Sequence, residues 1–167
     1  PTPSLRPGRQ DFASHAEVLA FLDSLQRQAP PGSLSLQTIG QTQRGLAIPL
    51  VVLGAGTNGT PNPKLPTVLV IAQQHGNEPA SGEAALALVQ QLSGPQAALL
   101  QRVNVLVMPR GNADGAERFV RATANGIDVN RDHLLLRTPE ARAIAAVVLK
   151  HAPQVVLDLH EFTAVGR

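Results

Sequence analysis

The sequence predicts an α/β fold of three layers, α/β/α, in which helices cover both faces of a mixed, mostly parallel central sheet. Apolar runs of strand length alternate with segments of helical periodicity along the 167 residues, as in layered α/β domains. The runs at 66–72, 103–108 and 155–159 are almost wholly apolar, which is typical of strands buried on both faces. Two earlier strands joined by a turn form a hairpin, so we expect a mixed sheet.

The N-terminal part of the chain contains one helix and the hairpin. Residues 1–10 are rich in Pro, Arg and Gly and are expected to be flexible, so we place the start of the domain at residue 11. Residues 14–17 read Ser-His-Ala-Glu, a capping box in which the Ser and Glu side chains satisfy free backbone N–H groups reciprocally. The helix that they open ends before the Pro-Pro-Gly of 30–32. The strands of the hairpin are expected at 34–39 and 46–53.

After the hairpin, the three apolar strands alternate with helices. The Ala- and Leu-rich segment 79–92 is expected to be the helix that follows the strand at 66–72. The polar segment 109–137 is long for a loop in a compact domain, and such loops are usually functional or mobile. Thr138 as N-cap and Pro139 in the first turn open the last helix, which leads to the strand at 155–159.

The composition excludes several classes of function. The formal charge is +2 and no Lys- or Arg-rich block occurs, so nucleic acid is not an expected partner. No apolar run approaches the roughly 18 residues that a membrane-spanning helix needs, and no membrane partner is expected. The chain has no cysteine, which excludes disulfides and thiolate metal sites. This composition is compatible with a periplasmic, secreted or cytoplasmic location.

Two motifs that could bind a metal follow the strands at 66–72 and 155–159. His75 and Glu78 lie three residues apart after the first strand, and His160 follows the second. Two imidazoles and one carboxylate are the protein ligands of many catalytic zinc sites, which leave a fourth position for water. The alternative is that Glu78 merely caps a helix and that the two histidines are ordinary strand-end residues. Asp158 could orient a ligand imidazole or be a buried acid.

Within the polar segment 109–137, the loop from residue 111 to residue 131 carries Arg118, Arg121 and Arg131. The guanidinium group of arginine can bind a carboxylate with two parallel hydrogen bonds, and it can also stabilise an oxyanion. The alternative is that these arginines are solvated loop charges. Their sequence proximity to the candidate metal motifs favours a role in substrate binding or catalysis.

The order of the motifs resembles that of the carboxypeptidase A-like zinc metallopeptidases. The motifs are His75-Gly76-Asn77-Glu78, Asn112-Ala113-Asp114-Gly115, Arg121, Gly126-Ile127-Asp128-Val129-Asn130-Arg131 and Asp158-Leu159-His160. The resemblance implies that His75, Glu78 and His160 bind one zinc ion. It implies that Asn130 and Arg131 hold the terminal carboxylate of a peptide substrate. It also implies that Arg121, rather than Arg118, polarises the scissile carbonyl.

The chain departs from the family pattern at several positions. It has Ala113 where the family usually has Pro, and Asp132-His133 where it usually has Asn and an aromatic residue, so the substrate preference is open. The family's general-base glutamate, and its substrate-contacting tyrosine where present, lie well downstream of the third ligand. This chain ends at residue 167 and has no Tyr. Glu161 is not expected to be the base, because adjacent strand residues face opposite ways. We therefore expect residues 11–167 to be the N-terminal part of a catalytic domain, with little activity alone.

The leading hypothesis is zinc-dependent hydrolysis of a peptide bond near a free C-terminal carboxylate. One alternative is an amidohydrolase like succinylglutamate desuccinylase or aspartoacylase, which the chain resembles at His-Gly-Asn-Glu and Asp-x-Asn-Arg. Another is a non-catalytic module that binds zinc or a peptide. Nothing after His160 could cover the last strand, so we expect 155–160 to lie between earlier strands with one neighbour missing, or to contact another chain. An exposed strand edge would favour self-association.

Overall fold

A computed structural model describes residues 1–54 and 60–162 and confirms the predicted α/β fold with a mixed sheet. The strands are β1 (Leu34–Gln41), β2 (Ala47–Leu53), β3 (Thr67–Ala72), β4 (Asn104–Met108) and β5 (Val155–Leu159). The α-helices are α1 (His15–Gln28), α2 (Pro79–Leu92), α3 (Ala113–Glu117) and α4 (Pro139–His151). Short 3-10 helices occur at Pro3–Leu5, Ala97–Gln101 and Val129–Arg131. No helix in these described ranges is long and apolar enough to cross a membrane.

The sheet has the strand order β1-β2-β4-β3-β5. β1 and β2 form the predicted antiparallel hairpin, and β2 is also antiparallel to β4. β3 is parallel to both of its neighbours, β4 and β5. The chain therefore leaves β3 on one side to form β4 and returns past β3 to form β5. Because parallel crossovers are right-handed, two crossovers in opposite directions place their helices on opposite faces of the sheet.

Alternating side chains of the central strands build one core on each face. Val70 and Ala72 of β3 face the core that α1 and α2 cover. Leu69 and Ile71 face the core that α4 covers. This double burial explains why the runs of β3 and β4 are continuously apolar.

Local capping explains where the main helices begin. The predicted capping box of α1 is present: Glu17 N donates to Ser14 Oγ at 3.3 Å, and Ser14 N donates to Glu17 Oε2 at 2.9 Å. Thr138 caps α4 by accepting a hydrogen bond from Ala141 N at 3.2 Å. Pro79 opens α2, as predicted.

The first ten residues contact α1 and α2. Ser4 Oγ donates to Glu83 Oε1 at 2.6 Å, and Arg9 Nη2 donates to Glu17 Oε2 at 2.9 Å. Flexibility of this segment and a domain start at residue 11 stay predictions. The last five residues of the predicted domain, 163–167, lie outside the described residues.

The position of β5 corrects one expectation. The strand does not lie between earlier strands, because β4 already occupies the other side of β3 and the second crossover delivers β5 to the edge. Within the described ranges its sheet neighbour is β3. Val155, Val156 and Leu157 are 46–47% exposed. The apolar sequence of β5 thus does not mark a strand buried by the residues described.

Candidate metal centre

His75, Glu78 and His160 converge at the carboxyl ends of β3 and β5. One potential ligand atom from each lies within 4.8 Å of the others. The rings of His75 and His160 have centroids 4.8 Å apart and are tilted by 35°. His75 and Glu78 are buried, whereas the side chain of His160 is 32% exposed. The strand order reverses at this place, which is where open α/β sheets form their binding crevices.

Local backbone geometry explains the convergence. We call residues 73–78 the metal loop. It leaves β3 through Gln73, whose φ of 50° is left-handed, and it closes with a hydrogen bond from Glu78 N to His75 O at 3.2 Å. Glu78 then occupies the N-cap position of α2. Because Ala72 of β3 pairs with Leu159 of β5, His160 emerges directly beside this loop.

Glu78 lies between the two imidazoles. Its Oε1 is 2.7 Å from His75 Nδ1 and its Oε2 is 2.9 Å from His160 Nδ1. Burial would raise the pKa of Glu78, but hydrogen bonds from His160, the Glu161 backbone and His75 outweigh it and lower the pKa. Two carboxylate oxygens and two imidazole nitrogens therefore meet in one place. Such a set needs a proton or a cation between its members, and two nitrogens with a carboxylate fit zinc.

A second carboxylate lies behind each imidazole. Asp128 Oδ1 is 3.0 Å from His75 Nε2, and Asp158 Oδ2 is 2.9 Å from His160 Nε2. A carboxylate in this position fixes the tautomer and the ring orientation of a ligand histidine. The sequence offered that role for Asp158 as one of two possibilities. No role was assigned to Asp128 from the sequence. The signal that could have indicated one is its place in the quoted motif, as the Asp of the Gly-Ile-Asp before Val129 and Asn130.

Hydrogen bonds around the imidazoles shift the pKa values of Asp128 and His160. Burial would raise the pKa of Asp128, but hydrogen bonds from Arg121 and His75 lower it. Burial would lower the pKa of His160, but its contacts with Glu78 and Asp158 raise it. The site thus concentrates negative charge around its two histidines, which favours a bound cation.

The structure brings Arg121 and Asn130 to the centre. Arg121 Nε donates to Asp128 Oδ2 at 2.9 Å, and its Nη1 is 3.6 Å from Glu78 Oε1. Asn130 Nδ2 is 3.1 Å from His160 Nε2. Arg118 and Arg131 are exposed. Arg131 Nη1 donates to the Asn130 carbonyl at 2.8 Å, and Arg118 is the C-cap of α3.

An open cleft of about 410 Å³ lies over the centre. Its lining residues are His75, Glu78, Arg121, Asn130, His160, Glu161 and Phe162. The carboxylate of Glu161 accepts a hydrogen bond from Ala80 N at 3.0 Å. It therefore caps the first turn of α2.

The metal loop and the polar segment 109–137 are in backbone contact. A Cβ atom added to Gly76 would lie 2.0 Å from the carbonyl carbon of Gly115, closer than any real contact. The Asn112 side chain closes the turn that contains Gly115 by accepting a hydrogen bond from Gly115 N at 2.9 Å. Only glycine at position 76 allows this approach, which fixes the segment that carries Arg121 against the segment that carries His75.

Comparisons with known proteins agree with this geometry. The sequence model of the zinc carboxypeptidase family matches residues 18–139. The chain is 37% identical over 129 residues to carboxypeptidase 2 of Trichophyton rubrum, covering 74% of this chain and 24% of that protein. It is 36% identical over 129 residues to carboxypeptidase 2 of Trichophyton tonsurans, with the same coverage. The crystal structure of a metallo-carboxypeptidase from Burkholderia cenocepacia is 29% identical, with a TM-score of 0.79 over 90% of this chain and 41% of that one. The chain spans about a quarter of the length of these curated relatives.

Proposed function

The chain belongs to the zinc carboxypeptidase family, as the order of its motifs predicted, and on this premise we propose that it contributes the metal centre for hydrolysis of a peptide bond next to a free C-terminal carboxylate. The observation that supports this proposal is the convergence of two imidazoles and a carboxylate within 4.8 Å at the reversal of strand order. A half-exposed arginine, Arg121, stands beside them.

We propose that His75, Glu78 and His160 hold one zinc ion. When bound, zinc acidifies a water molecule and polarises a carbonyl oxygen. The chain itself keeps Glu78 ionised through the contacts that lower its pKa. Asp128 and Asp158 hold the two rings with their Nδ1 atoms towards Glu78. The fit of the donor set supports zinc rather than calcium or magnesium, which prefer oxygen ligands.

The proposed roles of the polar side chains follow from their positions. Asp128 holds the Arg121 guanidinium at the rim of the cleft, where it can donate to the oxygen of a scissile carbonyl as negative charge develops there. The Asn130 amide and Arg131 would bind the substrate's terminal carboxylate, and Arg131 would exchange its bond to the Asn130 carbonyl for that contact. We propose that the general base is a glutamate from outside this chain, since Glu161 is engaged by α2.

The experiment compares one peptide with a free and with an amidated C-terminus, and an N-acylated amino acid, as substrates of the natural protein. We expect hydrolysis of the free peptide and little of the other two. Arg121→Ala should lower kcat by about 10²–10³, whereas Arg131→Ala should remove the preference for the free carboxylate. Arg118→Ala, three residues from Arg121 and exposed, is the matched control. Equal rates on the free and amidated peptides would contradict the carboxylate clamp, and preference for the acylated amino acid would favour the amidohydrolase alternative.

We also propose that the chain, studied alone, self-associates through β5. Among the residues that the structure describes, one edge of this strand has no strand beside it, and its apolar side chains are half exposed, a combination that invites strand pairing between copies. Sedimentation velocity over a hundredfold range of concentration tests it. A monomer at every concentration would contradict the proposal.

A further inference from the structure

We propose that Gln73 is a positioning residue that sets the geometry of the metal loop, and that the buried Arg110 fixes the orientation of its side-chain amide. The inference rests on the proposed function, because it concerns how His75 and Glu78 are held for zinc. Neither Gln73 nor Arg110 belongs to the motifs that identified the site. Both are buried, with 2% and 5% of their surface exposed.

The backbone of Gln73 turns the chain out of β3 into the metal loop. Its φ of 50° lies in the left-handed region, which residues with a Cβ adopt rarely. Such a conformation persists where the surroundings determine it from several sides. Gln73 N donates to Ser81 Oγ at 3.1 Å, and Gln73 O accepts from Asn112 N at 3.0 Å. The turn is therefore tied to α2 on one side and to the segment 109–137 on the other.

The side chain of Gln73 connects the metal loop to Arg110. Its Nε2 donates to the carbonyl of Gly76 at 3.1 Å, and its Oε1 accepts from Arg110 Nε at 2.9 Å. Gly82 of α2 leaves room for it, since a Cβ there would lie 2.8 Å from Gln73 Oε1. The amide therefore fills the space beside Gly82 and supports the carbonyl of Gly76, the residue that follows His75.

Arg110 determines which end of the amide faces the loop. Arginine has only donors, so the amide oxygen must point to Arg110 and the nitrogen is left for Gly76. Arg110 is itself anchored, because its Nη2 donates to the Ala13 carbonyl at 2.9 Å. A chain of hydrogen bonds thus runs from the segment before α1 through Arg110 and Gln73 to the metal loop.

A second connection reaches the other end of the loop. Ser81 Oγ accepts from Gln73 N and donates to the Glu78 carbonyl at 2.8 Å. Gln73 thereby holds the loop at Gly76 through its side chain and at Glu78 through Ser81. The separation of His75 Nδ1 and Glu78 Oε1, 2.7 Å, depends on both supports.

The test variant is Gln73→Glu, which keeps the length of the side chain and the contact with Arg110. It replaces the donor to Gly76 with a second acceptor, so two oxygens face each other in the protein interior. Gln73→Gly is the second variant, because it removes both side-chain bonds while tolerating the left-handed backbone. The matched control is Gln154→Glu. Gln154 likewise accepts one bond, from Thr67 N at 2.7 Å, and donates one, to Ala152 O at 3.1 Å, at the opposite end of β3.

Two measurements on the natural protein decide the matter. The first is amide hydrogen exchange at 74–78 without metal, which should become at least about tenfold faster in both Gln73 variants and stay unchanged in the control. The second is zinc affinity by chelator competition, together with the visible spectrum of the cobalt form. Supporting residues of metal ligands typically affect affinity by 10–100-fold, so we expect Kd to rise by about that factor and the cobalt spectrum to change.

The outcomes separate the two proposals. Gln73 variants that bind zinc within twofold of the wild type, with unchanged cobalt spectra, would overturn the positioning role. Unchanged exchange at 74–78 would also overturn it. A wild type that binds neither zinc nor cobalt would overturn the proposed function instead, and the exchange rates alone would then decide whether Gln73 orders the loop.

Discussion

The two halves of the candidate metal centre stand on strands of opposite character. His75 and Glu78 follow β3, which has a neighbour on each side and is covered on both faces. His160 follows β5, which forms the edge of the described sheet and whose side chains are mostly half exposed. The fold therefore places the first half by core packing. The second half is placed by strand register and by the contacts of Glu78 and Asp158 with His160.

The largest expected effect is the loss of zinc when one of the two histidine ligands is removed. His75→Ala and His160→Ala should each abolish binding of about one zinc ion per chain, because either change leaves two of three protein ligands. The metal content after dialysis, measured by atomic emission, checks this. His151→Ala, at the end of α4, is the control. Unchanged zinc in both ligand variants would rule out the site.

The next expected effect compares the two strands directly. Leu69 of β3 is 1% exposed and Leu157 of β5 is 47% exposed. Leu69→Ala should lower the free energy of unfolding by about 2–5 kcal/mol, as buried leucines do. Leu157→Ala should lower it by no more than about 1 kcal/mol, since much of its surface is already in water. Urea unfolding measures both. Equal losses would mean that β5 is covered in solution, and a dependence on protein concentration would then indicate a second copy.

A smaller effect compares the carboxylates behind the two imidazoles. Asp128→Asn and Asp158→Asn should each weaken zinc binding by about 10–100-fold. We expect the larger loss for Asp158→Asn, because the ring of His160 has less packing to hold it than the buried ring of His75. Chelator competition gives the ratio. Asp23→Asn on the exposed face of α1, where Asp23 pairs with Arg27, should leave the affinity unchanged, and the reverse order of the two losses would contradict the comparison.

The smallest effect concerns the segment that carries Asn130. Burial would raise the pKa of Asp132, but hydrogen bonds from the Thr138 and Arg137 backbones and side chains lower it from near 3.8 to about 2. A lowered pKa contributes stability above the unfolded value, and this contribution is lost as the pH falls from about 4 to 2. Asp132→Asn should therefore reduce the free energy of unfolding at pH 6 more than at pH 2.5. An equal difference at both pH values would show that the carboxylate charge is not what stabilises the segment.

Much of this architecture could be predicted, because apolar periodicity and capping residues are local signals. The strand predicted at 66–72 is observed at Thr67–Ala72, and the helix predicted at 79–92 is Pro79–Leu92. α3 was not predicted, since it is short and polar and depends on the Asn112 cap. The position of β5 could not be predicted either. Its residues are as apolar as those of β3, and an apolar sequence does not tell which strand finds a second neighbour.

The candidate site likewise has residues that the sequence indicated and residues that it did not. The motif spacing indicated His75, Glu78 and His160, because residues at the ends of parallel strands meet at one edge. The contact between His75 and Asp128 joins residues 53 positions apart, so the motif that contains Asp128 did not by itself indicate its partner. Gln73 and Arg110 carried no signal at all. Polar residues just after a strand are usually solvent-exposed, whereas these two are buried with hydrogen bonds to each other, to Gly76 and to Ala13.

The pairing of β3 with β5 also determines when the centre can assemble during folding. This pairing joins residues that are 87 positions apart, as in the bond between Thr67 and Gln154, whereas the bond from Glu78 N to His75 O joins residues three positions apart. Closing a long loop costs more chain entropy than closing a short one, and contacts of high sequence separation form slowly. The His75–Glu78 half should therefore exist before His160 arrives. Acquisition of tight zinc binding, followed in a refolding experiment, would report the docking of β5 as the final step.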